Sequence, residues 1–176
     1  MPGLLVCETE FAAGNINLTI VMRPFEPADR EAAVGLFQEL NAFEHAISAE
    51  SLTDRATAAV GQAEAEAMLT EGDAELLMAV ADGQIAGMLL WYVANGESYL
   101  AERLRRYGKV DALVVATVHR GKGIGNLLLA EAERLTRARG LSRMMLHVIE
   151  GNDGAAETYR RFGFKAHSLN MAKDLD

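Results

Sequence analysis

Residues 120 to 125 read Arg-Gly-Lys-Gly-Ile-Gly, a segment with the chemistry of an anion site. Glycines at 121, 123 and 125 let the backbone approach a ligand closely and adopt positive φ. Their N–H groups can turn inward as a nest. Arg120 and Lys122 add positive charge. The helical periodicity that follows aims free N-terminal amides and a positive dipole end at the same place. Such a loop suits a pyrophosphate; the alternative is a glycine-rich turn with no ligand. Two common phosphate loops do not fit. A Walker loop needs Gly-Lys-Ser/Thr, but Gly123 follows Lys122. The G-x-G-x-x-G dinucleotide fingerprint needs a third glycine where Asn126 stands.

A strand must deliver this loop and a helix must follow it. The β-branched run Val110 to Thr117 predicts a buried strand leading into it. Gly125 to Arg139 predicts the helix, from Leu127, Leu128, Ala132 and Leu135, with Gly140 as its C′ residue. Upstream, Ile16 to Arg23 reads as a strand ended by Pro24 and Pro27. Residues 28 to 44 read as a helix on Ala33, Leu36, Phe37, Leu40 and Phe43. A second helix follows Ser51, with Ser51 to Asp54 as a capping box and a thin stripe of Ala56, Val60, Ala63, Ala67 and Met68. So alanine-rich a stripe predicts loose packing. Glu75 to Ala81 and Gln84 to Val93 form a hairpin across Asp82-Gly83. Residues 95 to 109 read as a polar connection, partly helical near 100 to 106. Met144 to Val148 alternates as a strand, Gly154 to Phe162 is a short helix stopped by Gly163, and Ala166 to Met171 is a last strand. This order predicts an α/β or α+β sheet with helices on its faces.

Composition narrows the partners. The chain has 176 residues, which suits one domain, and a net charge of −8, which disfavours a nucleic-acid partner. Any phosphate must then be held locally, by a loop. Cys7 is the single cysteine, so no intramolecular disulfide forms and a reducing compartment is expected. The N-terminal run is too short for a signal segment, and no apolar run approaches a membrane span. The cytoplasm is the expected location.

The motifs are similar to those of a known family. Val115-x-x-x-x-Arg120-x-x-Gly123-x-Gly125 resembles the acetyl-CoA signature of the GNAT N-acetyltransferases, Arg/Gln-x-x-Gly-x-Gly/Ala. Asn152 to Phe164 resembles the second pattern, Asn-x-x-Ala-x-x-x-Tyr-x-x-x-Gly-Phe. Met171-x-Lys173-x-Leu175 and Ile20 to Pro24 resemble the closing segment and the first strand. The resemblance runs from about residue 17 to the end. Residues 1–15 read as an extension, and the resemblance implies 16–176 as one domain. The implied fold is a mixed, mostly antiparallel, twisted sheet with helices on both faces and splayed fourth and fifth strands.

By this resemblance the pantetheine arm of acetyl-CoA lies in the splay. The Leu113 N–H would polarise the thioester carbonyl and the Val115 backbone would bond the pantetheine. The amides of Arg120, Gly121, Lys122, Gly123, Ile124, Gly125 and Asn126 would take the pyrophosphate. Tyr159 would be the general acid that protonates the departing thiolate; the alternative is a core tyrosine beside Phe162. Asn152 would bond the pantetheine or fix the strand end; the alternative is an N-cap before the short helix. Asp111 would be the base, placed on the Leu113 face by the period-two rule and, being short, acting through a water relay; the alternative is a solvated carboxylate. Glu44, with His45, is an acceptor-site candidate or a polar helix end. His119 and His147 receive no role. The implied function is direct acetyl transfer from acetyl-CoA to a primary amine, with a small cationic acceptor and no metal. Protein lysine or N-terminal acetylation and a non-catalytic CoA-binding module are the alternatives. The family also admits a homodimer.

Overall fold

The computed structural model describes residues 19–175. Five strands form one sheet in sequence order: β1 (Ile20–Pro24), β2 (Ala74–Ala81), β3 (Gln84–Asn95), β4 (Arg106–Val115) and β5 (Met144–Leu146). The first four pair antiparallel, and β5 joins β4 in parallel. The β2–β3 turn is the expected hairpin: Asp82 and Gly83 both have positive φ, 48° and 81°, which matches the strand twist.

Alternating side chains serve two cores, so both faces of the sheet are covered. On one face α4 (Ile124–Ala138) packs Ile124, Leu128, Ala132 and Leu135 against Met22, Leu77, Leu89 and Trp91. On the other, α1 (Arg30–Ser48) and α2 (Arg55–Thr70) pack Ala33, Leu36, Phe37, Ala58 and Ala65 against Leu76, Met78, Met88 and Leu90. Fully burying one such leucine contributes about 1.5–3 kcal/mol. A one-turn helix, α3 (Glu102–Arg105), precedes β4, and α5 (Asp153–Phe162) follows β5. No described helix is long and apolar enough to cross a membrane.

Several expectations are corrected. The 95–109 segment keeps the expected connection with a helical turn at Glu102–Arg105, but its two ends are strand, because β3 runs on to Asn95 and pairs with Arg106 to Lys109. Its polar side chains suit a strand margin: Lys109 sits over the Tyr92 ring, 5.3 Å from the centroid. The cap of α2 is Asp54, which accepts from Thr57 N at 2.9 Å, not a Ser51 box. Its buried face is Ala58, Gln62 and Ala65, while Val60 is exposed. Alanine on every side makes the apolar stripe ambiguous, and small residues let α2 approach α1 closely. Ala58 and Ala65 are fully buried, and Arg30 of α1 reaches Glu66 through two hydrogen bonds of 2.7 and 2.6 Å. The strand expected at 166–171 is absent; residues 164 to 175 have no regular structure and Met171 is exposed. The neighbour it would pair with, β5, is only three residues long and stops before Val148. Residues 1–15, Cys7 and the Ile16–Leu18 part of the first strand lie outside the described residues.

Candidate active site

The site begins with an irregularity in β4. Leu90 pairs with Ala112 but Trp91 pairs with Val110, so Asp111 is an extra, bulged residue. The bulge changes which way everything beyond it faces. Val110 packs in the α4 core, whereas Ala112 and Val114 pack in the α1–α2 core. Before the bulge, Gly108 N donates across to Arg143 O at 3.0 Å, on the β5 side. After it, Ala116 N donates to Ala86 O of the segment paired on the other side, at 2.9 Å. Antiparallel ladders alternate, so the backbone groups of Leu113 and Val115 face away from β3.

They face open space. β5 pairs only with Gly108, Lys109 and Val110. Beyond Val110 the two strands part, which is the expected splay. A cleft of about 800 Å³ occupies the gap and continues between the glycine loop and α5.

The loop closes one end. Gly121 and Gly123 have φ of 75° and 77°, the left-handed region that glycine tolerates best. Gly123 is also the N-cap of α4. The N–H groups of Arg120 and Asn126 are already held by Thr117 O and Gly123 O. Those of Gly121, Lys122, Gly123, Ile124 and Gly125 have no backbone partner among the described residues. The run of unpaired amides is therefore two residues shorter than the 120–126 stretch.

The cleft is lined by Glu44, Asp111, Leu113, Val115, Arg120, Gly121, Gly123, Ile124, Gly125, Asn126, Asn152 and Tyr159. Of the candidate residues Lys122 and His45 are not in the lining: the Lys122 side chain is exposed at the loop tip, and His45 Nδ1 lies 2.8 Å from Ser51 O. Two candidates, Arg120 and Asp111, differ in detail from expectation. Arg120 is turned back from the loop: its Nε donates to Val115 O at 3.0 Å and its guanidinium lies 5.3 Å from the Phe43 ring centroid. Val115 O keeps a second lone pair for a ligand. Asn152 Oδ1 accepts from Ala155 N at 3.2 Å, so this residue does cap α5. Asp111 cannot be assigned to the Leu113 face by counting in twos, because the bulge breaks the period. Its carboxylate pairs with Lys109 Nζ at 2.8 Å. Burial opposes the Lys109 charge, but hydrogen bonds to Asp111 and Tyr92 outweigh it and raise the pKa.

Tyr159 is half-buried on α5, edge-on to Phe164 with ring centroids 6.0 Å apart. Burial raises its pKa, and the Glu44 carboxylate adds to the shift. Both causes keep the phenol protonated, the state a proton donor needs.

Sequence reasoning missed the extent of the α1 wall. Leu40, Phe43, Glu44 and Ile47 all line the cleft, on one face at helical spacing. That spacing was visible, but only up to Phe43. His119 and His147 also line the cleft, and His119 Nδ1 is buried with no partner among the described residues.

Residues 29–164 match the model of the acetyltransferase (GNAT) family. The chain belongs to that family. Among relatives of this GNAT chain, streptothricin acetyltransferase of Streptomyces lavendulae is 36% identical over 103 residues, 58% of this chain and 50% of the relative. Glucosamine 6-phosphate N-acetyltransferase of Trypanosoma brucei brucei is 28% identical over 71 residues, 40% of this chain and 46% of the relative. The matches thus span about half the length of those relatives. Among solved structures, an aminoglycoside N-acetyltransferase in complex with CoA superposes with a TM-score of 0.71 at 14% identity, covering 92% of this chain and 98% of that one. An aminoglycoside 6′-N-acetyltransferase of Acinetobacter haemolyticus gives 0.65 at 19% identity, covering 88% and 99%. At these identities the structures share the fold.

Proposed function

We propose that this GNAT protein transfers an acetyl group from acetyl-CoA directly to a primary amine, and that the acceptor is a small cationic molecule. One observation carries the reading. A single cleft joins four free loop amides, those of Gly121, Gly123, Ile124 and Gly125, with the outward backbone of Leu113 and Val115, a protonated Tyr159 and three carboxylates, Glu44, Asp111 and Asp153.

These residues fit the cofactor. The amides of 121–125 and the α4 N-terminus suit its pyrophosphate. Leu113 and Val115 offer strand-edge groups to the pantetheine amides, and Leu113 N–H would polarise the thioester carbonyl. The thioester supplies the activated acyl group. Tyr159 holds the proton for the departing thiolate. Asp111 takes the proton that the amine must lose before it attacks, directly or through water, with Lys109 as its resting partner. Glu44 and Asp153 favour a positively charged acceptor. The activities of the two relatives, on streptothricin and glucosamine 6-phosphate, support an amine acceptor.

A thiol-release assay with acetyl-CoA tests this against polyamines, amino sugars, amino acids and lysine or N-terminal peptides. Turnover with small cationic amines is expected. Turnover with peptides alone would move the acceptor to protein. CoA binding without thiol release to any amine would make the chain a binding module.

A further inference from the structure

Glu39 has no part in the chemistry above, yet it holds the approach to the glycine loop. Residues Thr117–His119 form a single 3-10 turn between β4 and that loop. The N-cap position of the turn is Ala116, which has no side-chain acceptor. Glu39 of α1 supplies one from 78 residues away. Its Oε2 accepts from Thr117 N at 3.0 Å and from Thr117 Oγ1 at 2.9 Å. The turn then closes through His119 N to Ala116 O at 2.8 Å and Arg120 N to Thr117 O at 3.3 Å. The free amides begin at the next residue.

A carboxylate is an electrostatically poor neighbour for a site that receives an anion. Its presence is explained by geometry. One turn further along α1, Phe43 lies under the Arg120 guanidinium, and Arg120 in turn holds Val115 O. Two successive turns of α1 thus grip the two ends of the short link that carries the strand edge into the loop. Phe43 and Glu44, on the same helix, line the cleft.

We propose that Glu39 is a positioning residue. Through Thr117 it fixes the glycine loop in its anion-binding shape and ties that loop to the helix that forms the acceptor wall. The proposal rests on the reading of the loop as the CoA pyrophosphate site.

The test is calorimetric titration of the apo protein with CoA, alongside amide exchange of residues 117–125 without ligand. Charge alone predicts tighter CoA binding for Glu39→Ala, so the sign is diagnostic. Positioning predicts weaker binding, by roughly tenfold for the loss of two charge-assisted hydrogen bonds, and faster exchange in the loop. Glu39→Gln keeps an acceptor oxygen and is expected to bind within about threefold of wild type. Thr117→Ser keeps both donors and should match wild type, whereas Thr117→Val should fall between. In the Glu39→Ala, Thr117→Val double variant the losses should not add. Unchanged or tighter CoA binding by Glu39→Ala would overturn the proposal and leave the CoA site standing. Absence of CoA binding by the wild type would remove both. If Glu39→Ala does not fold, the order Ser, Val among the Thr117 variants decides.

Discussion

Replacing Tyr159 by phenylalanine removes one oxygen and keeps the ring that packs edge-on against Phe164. The fold should survive, and so should CoA binding, because the free loop amides lie on a different element. What is lost is a phenol whose pKa is raised, first by burial and then by Glu44. General acid catalysis contributes typically about 10²–10⁴ in rate. The cleft is open and Tyr159 only half-buried, so water can replace the donor in part. The expected loss in kcat is therefore near the lower end, about 10², or roughly 2.7 kcal/mol of barrier. The assay is initial-rate thiol release at saturating acetyl-CoA with the best amine, together with the CoA dissociation constant. A companion measurement uses pH. Because the phenol is held above its ordinary value of 10.0, it stays protonated throughout the neutral range and should cause no alkaline fall in rate there. Glu44→Gln removes the second cause and should move the Tyr159 titration back toward 10.0. Unchanged kcat in Tyr159→Phe, with turnover established, would refute the acid assignment. A raised CoA dissociation constant with unchanged kcat would make Tyr159 a packing residue.

Two predictions concern the frame. An alanine Cβ at Gly108 would overlap Thr136 Oγ1 and stand 2.6 Å from Trp91 Nε1, the partners of a buried 3.0 Å hydrogen bond. Overpacking and the strained bond together should cost about 3 kcal/mol, or on the order of 10 °C in Tm, by thermal denaturation; a shift under about 2 °C would contradict this packing. Glu66 has its pKa lowered from 4.5 to about 2 by its hydrogen bonds to Arg30, against burial and with help from Gln62. Its folded value is depressed, so its stabilisation is complete above the unfolded value of about 4.5 and fades as pH falls toward 2. Glu66→Gln should flatten the acid limb of stability measured by urea denaturation between those values, and an unaltered slope would show that the Arg30 pair does not act on folding.

The glycine loop and the Asn152–Phe164 segment were legible because their chemistry is local. A glycine needed for positive φ, a helix start and a tyrosine at fixed spacing are properties of a few consecutive residues, and the structure places them along one cleft. The hairpin at Asp82-Gly83 was legible for the same reason. Failures fell where the deciding partner is distant. Residues 106–109 look like a polar link until β3 pairs with them. Ala166 to Met171 looks like a strand, but pairing requires an edge, and β5 offers three residues.

By itself, then, the sequence determined the family, the loop, the main helices and the residues that could do chemistry, since each rests on short-range periodicity or turn geometry. Only tertiary structure decided how they face one another. The bulge at Asp111 turns the Leu113 and Val115 backbone toward the splay, and no count along β4 reveals it because the extra residue is defined against β3. Likewise Glu39 becomes the cap of the turn before the loop only when α1 lies across it, since a hydrogen bond spanning 78 residues leaves no mark on either segment alone.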